Sequence, residues 1–217
     1  MGKINQGILG GFSGKVGTVV GSFWKGKATM RAMPGHVANP RTAAQQAVRA
    51  RFRALGIPVA RLTPFINQTF AIGADSMRIT PDNLAVKANY NVAITGSGTA
   101  VSIDWNRLQL AHGTGLLNVE NAAAVVGTGH SINITWTNNA GVDSLVLDND
   151  HILACVYNPR TEQATYDLVS ACRDDQSIVI HTPAAWAGDT VHVYLVARSE
   201  NKQFVSPSVY AGQVVCA

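Results

Sequence analysis

The chain has 217 residues, 47% hydrophobic and 14% charged, with a formal net charge of +4. That apolar content excludes disorder throughout, and no apolar run approaches the ~18 residues of a membrane-crossing helix, so no membrane span is expected. The charge is divided: ten Lys/Arg and no acid precede Asp75, and from Asp75 onward thirteen acids face seven bases, so a +10 segment is followed by a −6 segment.

Nine of the twenty glycines lie in residues 1–35. Glycine at this density opposes helix and leaves too little side chain for an independent core. Residues 1–38 are therefore expected to form an extended, basic, glycine-rich arm. Its apolar residues Phe12, Val16, Val19, Phe23 and Trp24 are the candidate contacts with a neighbouring subunit. The run GGFSGK at residues 10–15 invites a phosphate-loop reading, but that motif needs Ser or Thr where Val16 stands, and Gly17 opposes the helix that should follow. The early apolar residues do not build a secretory h-region, so synthesis in the cytoplasm is expected, with a virion or an assembled particle as the final location.

Asn39-Pro40 is a turn signal, and Thr42 with Gln45 fits a capping box. The clearest helix is expected from Ala43 to Leu55, with Ala44, Val48, Phe52 and Leu55 as its apolar stripe and Gly56 and Pro58 as its terminators. A second helical stretch follows over residues 58–68, so residues 39–84 form a helical segment. Arg41, Arg49, Arg51, Arg53 and Arg61 cluster around it, suited to carboxylates of a protein or phosphates of a nucleic acid.

From about Leu84 the apolar period changes to two. A hairpin is expected around residues 95–99, then strands at 131–137, 151–157, 163–168, 177–181, 190–199 and 205–210. Short strands separated by turns, with no helical pattern between them, predict an antiparallel immunoglobulin- or fibronectin-III-like β-sandwich over residues 85–217, with Trp136 in its core. The chain is thus read as mainly β, with an N-terminal α segment and a glycine-rich arm. Cys155 sits in an apolar run as a buried thiol; whether it bonds Cys172 is left open by spacing alone.

Three segments resemble one another's setting in a known family: the run GILGGFSGKVG at residues 7–17 with Trp24-Lys25-Gly26, the helix entry Thr42, Gln45, Arg49, Phe52, and the terminal Val205, Ser206, Ser208, Tyr210, Gly212. Together they resemble a family of roughly 200-residue proteins of unknown function common in the Bacteroidota. The helix entry is also similar to a pattern in phage-encoded structural proteins, which implies a virion or assembly context.

Catalytic constellations are weak throughout. Asp148-Asn149-Asp150-His151 offers oxygen ligands but lacks the spacing of a calcium loop, and neither a nucleophile elbow nor a convincing Cys–His pair is found. No catalytic residue, cofactor, metal or small-molecule substrate is therefore predicted. The expected function is a structural, self-assembling subunit of a phage-like virion or filament, its arm adding to a neighbour and its arginine helix pairing with acids. Its partners are copies of itself or other structural subunits. The alternatives are a nucleic-acid-binding or packaging protein using the basic segment, and a ligand-binding module on the sandwich loops.

Overall fold

A computed structural model describes residues 3–4, 10–35 and 39–217. The chain divides into two compact units, Met1–Thr42 and Ala43–Ala217.

The first unit is a β-meander. Strands β1 (Lys3–Ile4), β2 (Phe12–Val16), β3 (Val19–Trp24) and β4 (Lys27–Ala32) pair in chain order, each antiparallel to the next. The glycine-rich segment read as an extended arm is therefore paired with itself. Its glycines serve turns and ring sockets. Lys25 and Gly26, both at positive φ (43° and 78°), make the two-residue turn between Trp24 and Lys27, the mirror-image geometry that suits strand twist. A Cβ on Gly21 would lie 2.7 Å from the Phe12 ring, and one on Gly11 2.5 Å from the ring of Phe23. Each glycine thus makes room for an aromatic ring.

The second unit begins with helices α1 (Ala43–Arg61), α2 (Thr63–Thr69), α3 (Ala71–Met77) and α4 (Pro81–Asn89). Two expectations are corrected. Gly56 and Pro58 do not end the first helix, because Leu55, Pro58, Val59 and Leu62 form one buried stripe. Burying three aliphatic side chains at roughly 1.5–3 kcal/mol each outweighs the ~3 kcal/mol that an interior proline costs. The expected stripe also fails at its start: Leu55 is fully buried, whereas Val48 and Phe52 remain 45% and 51% exposed. The helical segment continues to Asn89, where Thr80 caps α4 by accepting from the Asn83 N–H at 3.3 Å.

The hairpin β5 (Ile94–Ser97) and β6 (Ala100–Ile103) follows, its turn shortened to Gly98-Thr99. Strands β7 (Glu120–Val126), β8 (Ser131–Thr137), β9 (His151–Asn158), β10 (Gln163–Asp167), β11 (Ser177–His181), β12 (Thr190–Arg198) and β13 (Val209–Val215) build two antiparallel sheets, ordered β11-β8-β7 and β10-β9-β12-β13. First, second and fifth strands in one sheet, the others in the second, is the partition of a fibronectin-III-like sandwich. Between the sheets lies a core of Ile132, Ile134 and Trp136 from β8, Ile178 and Ile180 from β11, and Ile152, Ala154, Val193 and Leu195 from β9 and β12.

The four-stranded sheet is covered on its other face too. Leu153, Cys155, Tyr157, Tyr194 and Val196 alternate with the sandwich residues and pack into a second core with Leu55, Leu62, Phe65, Ile66, Phe70 and Leu84 of the helices. The body is therefore three layers, helices over four strands over three. Helices and strands of residues 43–217 lie in one compact unit, because β9 and β12 are buried by both neighbours. Burial on both faces is why these two strands read as nearly unbroken apolar runs.

Candidate functional site

The register of the meander sorts its side chains onto two faces. Val16 opposes Val19, Gly14 opposes Gly21, Phe23 opposes Ala28 and Gly21 opposes Met30. Since side chains alternate along a strand, Phe12, Val16, Val19, Phe23, Ala28, Met30 and Ala32 share one face. The opposite face carries Lys15, Lys27 and Arg31, with Val20, Trp24 and the hydroxyls of Ser22 and Thr29, which bond each other at 2.7 Å. One face is wholly apolar and the other basic.

The apolar face is open. Val16, Phe23 and Met30 are 52%, 47% and 70% exposed. Of the five contact residues predicted from sequence, Phe12, Val16, Val19 and Phe23 fall on this face, and Trp24 falls on the basic one. Met30 was missed, although the alternation of Ala28, Met30 and Ala32 with Lys27, Thr29 and Arg31 carried the signal.

The five predicted arginines do not form one cluster. Arg49 and Arg53, one turn apart on α1, line a groove of about 480 Å³ against Thr99 and Val101 of the β5–β6 hairpin. Arg61 lines the adjoining groove of about 320 Å³ with Arg53, Ile57 and Glu162. Arg51 is turned away: its guanidinium lies 4.9 Å from the centre of the Tyr90 ring and donates to the Tyr90 carbonyl at 3.5 Å, tying α1 to α4. Arg41 precedes α1 and belongs to the N-terminal unit.

The titratable groups of the body are structural where their geometry is clear. Arg173 and Asp150 form a fully buried pair at 3.1 Å, and Arg173 also donates to Asn139 Oδ1 at 2.5 Å and to the Leu117 carbonyl at 3.0 Å. Burial lowers the Arg173 pKa while the Asp150 charge opposes that fall. The sequence offered Asp148 and Asp150 as cation ligands, but Asp150 faces Arg173 and Asp148 accepts from Asn138 at 2.7 Å. Cys172, Asp174 and Asp175 lie together; their geometry is that of a capping box on the 3-10 turn Arg173–Asp175, with the Cys172 N–H donating to Asp175 at 2.7 Å. All three cysteines are free thiols, which answers the question of a Cys155–Cys172 bond; burial pushes the Cys155 thiol up. Asp189, held by Arg160 and then by Asn158, has its pKa lowered.

His192 was not singled out by sequence. Its ring stacks on Trp105 at 4.9 Å and Nδ1 lies 2.9 Å from the Tyr210 hydroxyl. Burial holds its pKa down at about 4, so it is neutral at pH 7. Unfolding restores the ordinary value of 6.5, so the unfolded chain takes up a proton that the folded one refuses between those values. Stability is therefore expected to fall by about 3 kcal/mol as pH drops from 7 through 4. Denaturant titrations at pH 7 and 4 check this: His192→Gln should flatten the dependence, and an unchanged slope would rule the histidine out.

A family model described as "Family of unknown function (DUF6266)" matches residues 11–212. No curated protein and no solved structure matches the chain.

Proposed function

We propose that this chain, which belongs to the DUF6266 family, is a structural subunit that assembles with copies of itself into a phage-like particle or filament. The observation that carries the reading is the open apolar face of the N-terminal meander. A unit of about 40 residues rarely supports itself without disulfides, metals or oligomerisation, and a sheet with one apolar face needs a layer against it.

The occupant we assign is the same face of a second copy. The face carries no charge, so it is compatible with itself, and two sheets stacked face to face give the isologous contact of a two-fold dimer. Val16, Phe23 and Met30 would contribute most, since full burial of such side chains yields roughly 1.5–3 kcal/mol each. The test is whether polar substitution on this face, Phe23→Ser with Met30→Ser, dissolves the assembly while the body keeps its melting transition.

A second reading, nucleic-acid binding, is favoured by the opposite face, where Lys27 stands opposite Trp24 and Lys15 and Arg31 flank Val20, with no acid among them. It would leave association unchanged in that double variant. It would show instead as retardation of single-stranded DNA that falls steeply with salt.

A further inference from the structure

The body carries a second pair of surfaces that match each other but lie at its opposite ends. One is the groove beside α1, with Arg49 and Arg53 on its rim and Ala50, Ala54, Ile57 and Val101 between them. It continues past Ile57 to Arg61 and to Pro159 and Glu162, in the turn that follows β9. Its lining is apolar, and three arginines stand along it against a single carboxylate, Glu162. Neither Arg53 nor Arg61 forms an ion pair among the described residues.

The other is the loop of residues 141–148, which immediately precedes β9. It exposes Val142, Leu145 and Leu147, with Asp143 and Asp148 beside them. Exposed apolar side chains on a fraying loop would mean little, but this loop is pinned. Val146 is buried beneath it, the Gly141 N–H donates to the Val146 carbonyl at 3.0 Å, and the Leu147 N–H donates to Asp150 Oδ2 at 3.0 Å. Asp143 Oδ1 accepts from the Leu145 N–H at 3.0 Å. The loop is a preorganised, exposed segment, acidic and apolar, and preorganisation lowers the entropy lost on docking.

Groove and loop sit at the two ends of β9, whose eight residues span about 26 Å. They cannot meet within one copy. We infer that the loop of residues 141–148 of one copy docks in the arginine-lined groove of the next, placing Asp143 and Asp148 against Arg53 and its neighbours. The inference rests on the assembly reading and names its second contact. Such a contact is head-to-tail, so it closes a ring or continues as a filament. Combined with the two-fold contact of the meander, it links dimers into a larger array. Each docking buries only a few side chains, so the contact depends on being repeated along the array.

Sedimentation velocity of the full-length chain tests this with Arg53→Glu and Asp148→Lys. Arg53 is exposed, so Arg53→Glu should leave the melting transition in place, whereas Asp148→Lys gives up the hydrogen bond from Asn138 and should lower the transition slightly without unfolding the body. Each variant alone sets like charges against each other at the contact, and each should stop at the dimer with at least a ten-fold weaker association beyond it. An equimolar mixture restores an opposite pair at every contact and should recover the large species. Asp143→Asn, which keeps the Oδ1 acceptor of the turn, should weaken association several-fold. Charge variants that assemble like the wild type, or a mixture no larger than its components, would overturn the inference. The meander reading fails separately, if Phe23→Ser with Met30→Ser leaves the dimer intact.

Discussion

A fragment of residues 85–217 should fail to fold cooperatively, although it contains every strand of the sandwich. Removing the helices uncovers Leu153, Cys155, Tyr157, Tyr194 and Val196, all at most 2% exposed in the intact body. Five such side chains represent about 10 kcal/mol at roughly 2 kcal/mol each, as much as the whole net stability of a typical domain. The hydrogen-bond anchors go as well, since Arg198 reaches Gln68 and the Thr69 hydroxyl donates to the Leu110 carbonyl at 2.6 Å. The fragment should aggregate or show a non-cooperative melt by circular dichroism, whereas residues 43–217 should melt in one transition. A stable, cooperative 85–217 fragment would mean that the helices are an ornament on an independent sandwich.

Asp150→Ala should cost about 3–5 kcal/mol, the usual result of leaving a buried charge without its partner. Arg173 has its side chain fully buried, and its guanidinium joins Asp150, Asn139 and the Leu117 carbonyl. The Arg173 carbonyl accepts from the Trp136 indole at 2.9 Å, so the pair also steadies the main aromatic of the inter-sheet core. Asp150 further holds the Leu147 N–H, and with it the loop of residues 141–148. The loss should appear as a lower denaturant midpoint and a melting temperature down by roughly 10 °C. Replacing both partners, Asp150→Leu with Arg173→Met, should recover part of it, because an apolar pair needs no compensation. A loss below about 1 kcal/mol in the single variant would show that water reaches the site.

The sandwich was legible because β8 and β11 obey period two, β9 and β12 are nearly continuous apolar runs, and all four end at polar turns. The run at 177–181 matches β11 to the residue, and 131–137 matches β8. Strand β7 escaped notice because its sequence, ENAAAVV, lacks alternation and carries its strong β-formers only in the final two positions. The helix boundary at Pro58 failed for a different reason: local chemistry argued for a stop, and burial of Leu55, Val59 and Leu62 overrode it. Glycine misled in the N-terminal segment. Its frequency suggested a bare arm, yet Gly26 builds a hairpin turn and Gly11 and Gly21 accommodate rings.

The candidate surfaces were half visible. Phe12, Val16, Val19 and Phe23 are spaced to share a strand face, but only the pairing register shows that Met30 joins them and Trp24 does not. The arginines of α1 were visible as a group, and helical geometry divides them, sending Arg51 to Tyr90 and Arg49 and Arg53 to the groove. The groove's partner loop reads in sequence as an ordinary polar turn. Its fixed conformation follows from hydrogen bonds to Asp143 and Asp150 that residue order does not announce.

The apolar face of the meander is the central claim, and the molar mass of the full-length chain by light scattering, with and without Phe23→Ser and Met30→Ser, tests it most directly. The wild type should run as a dimer or larger at micromolar concentration, and the double variant should run as a folded monomer with an unaltered melting transition. A wild-type chain that stays monomeric at every concentration, or a double variant of unchanged mass, would contradict it.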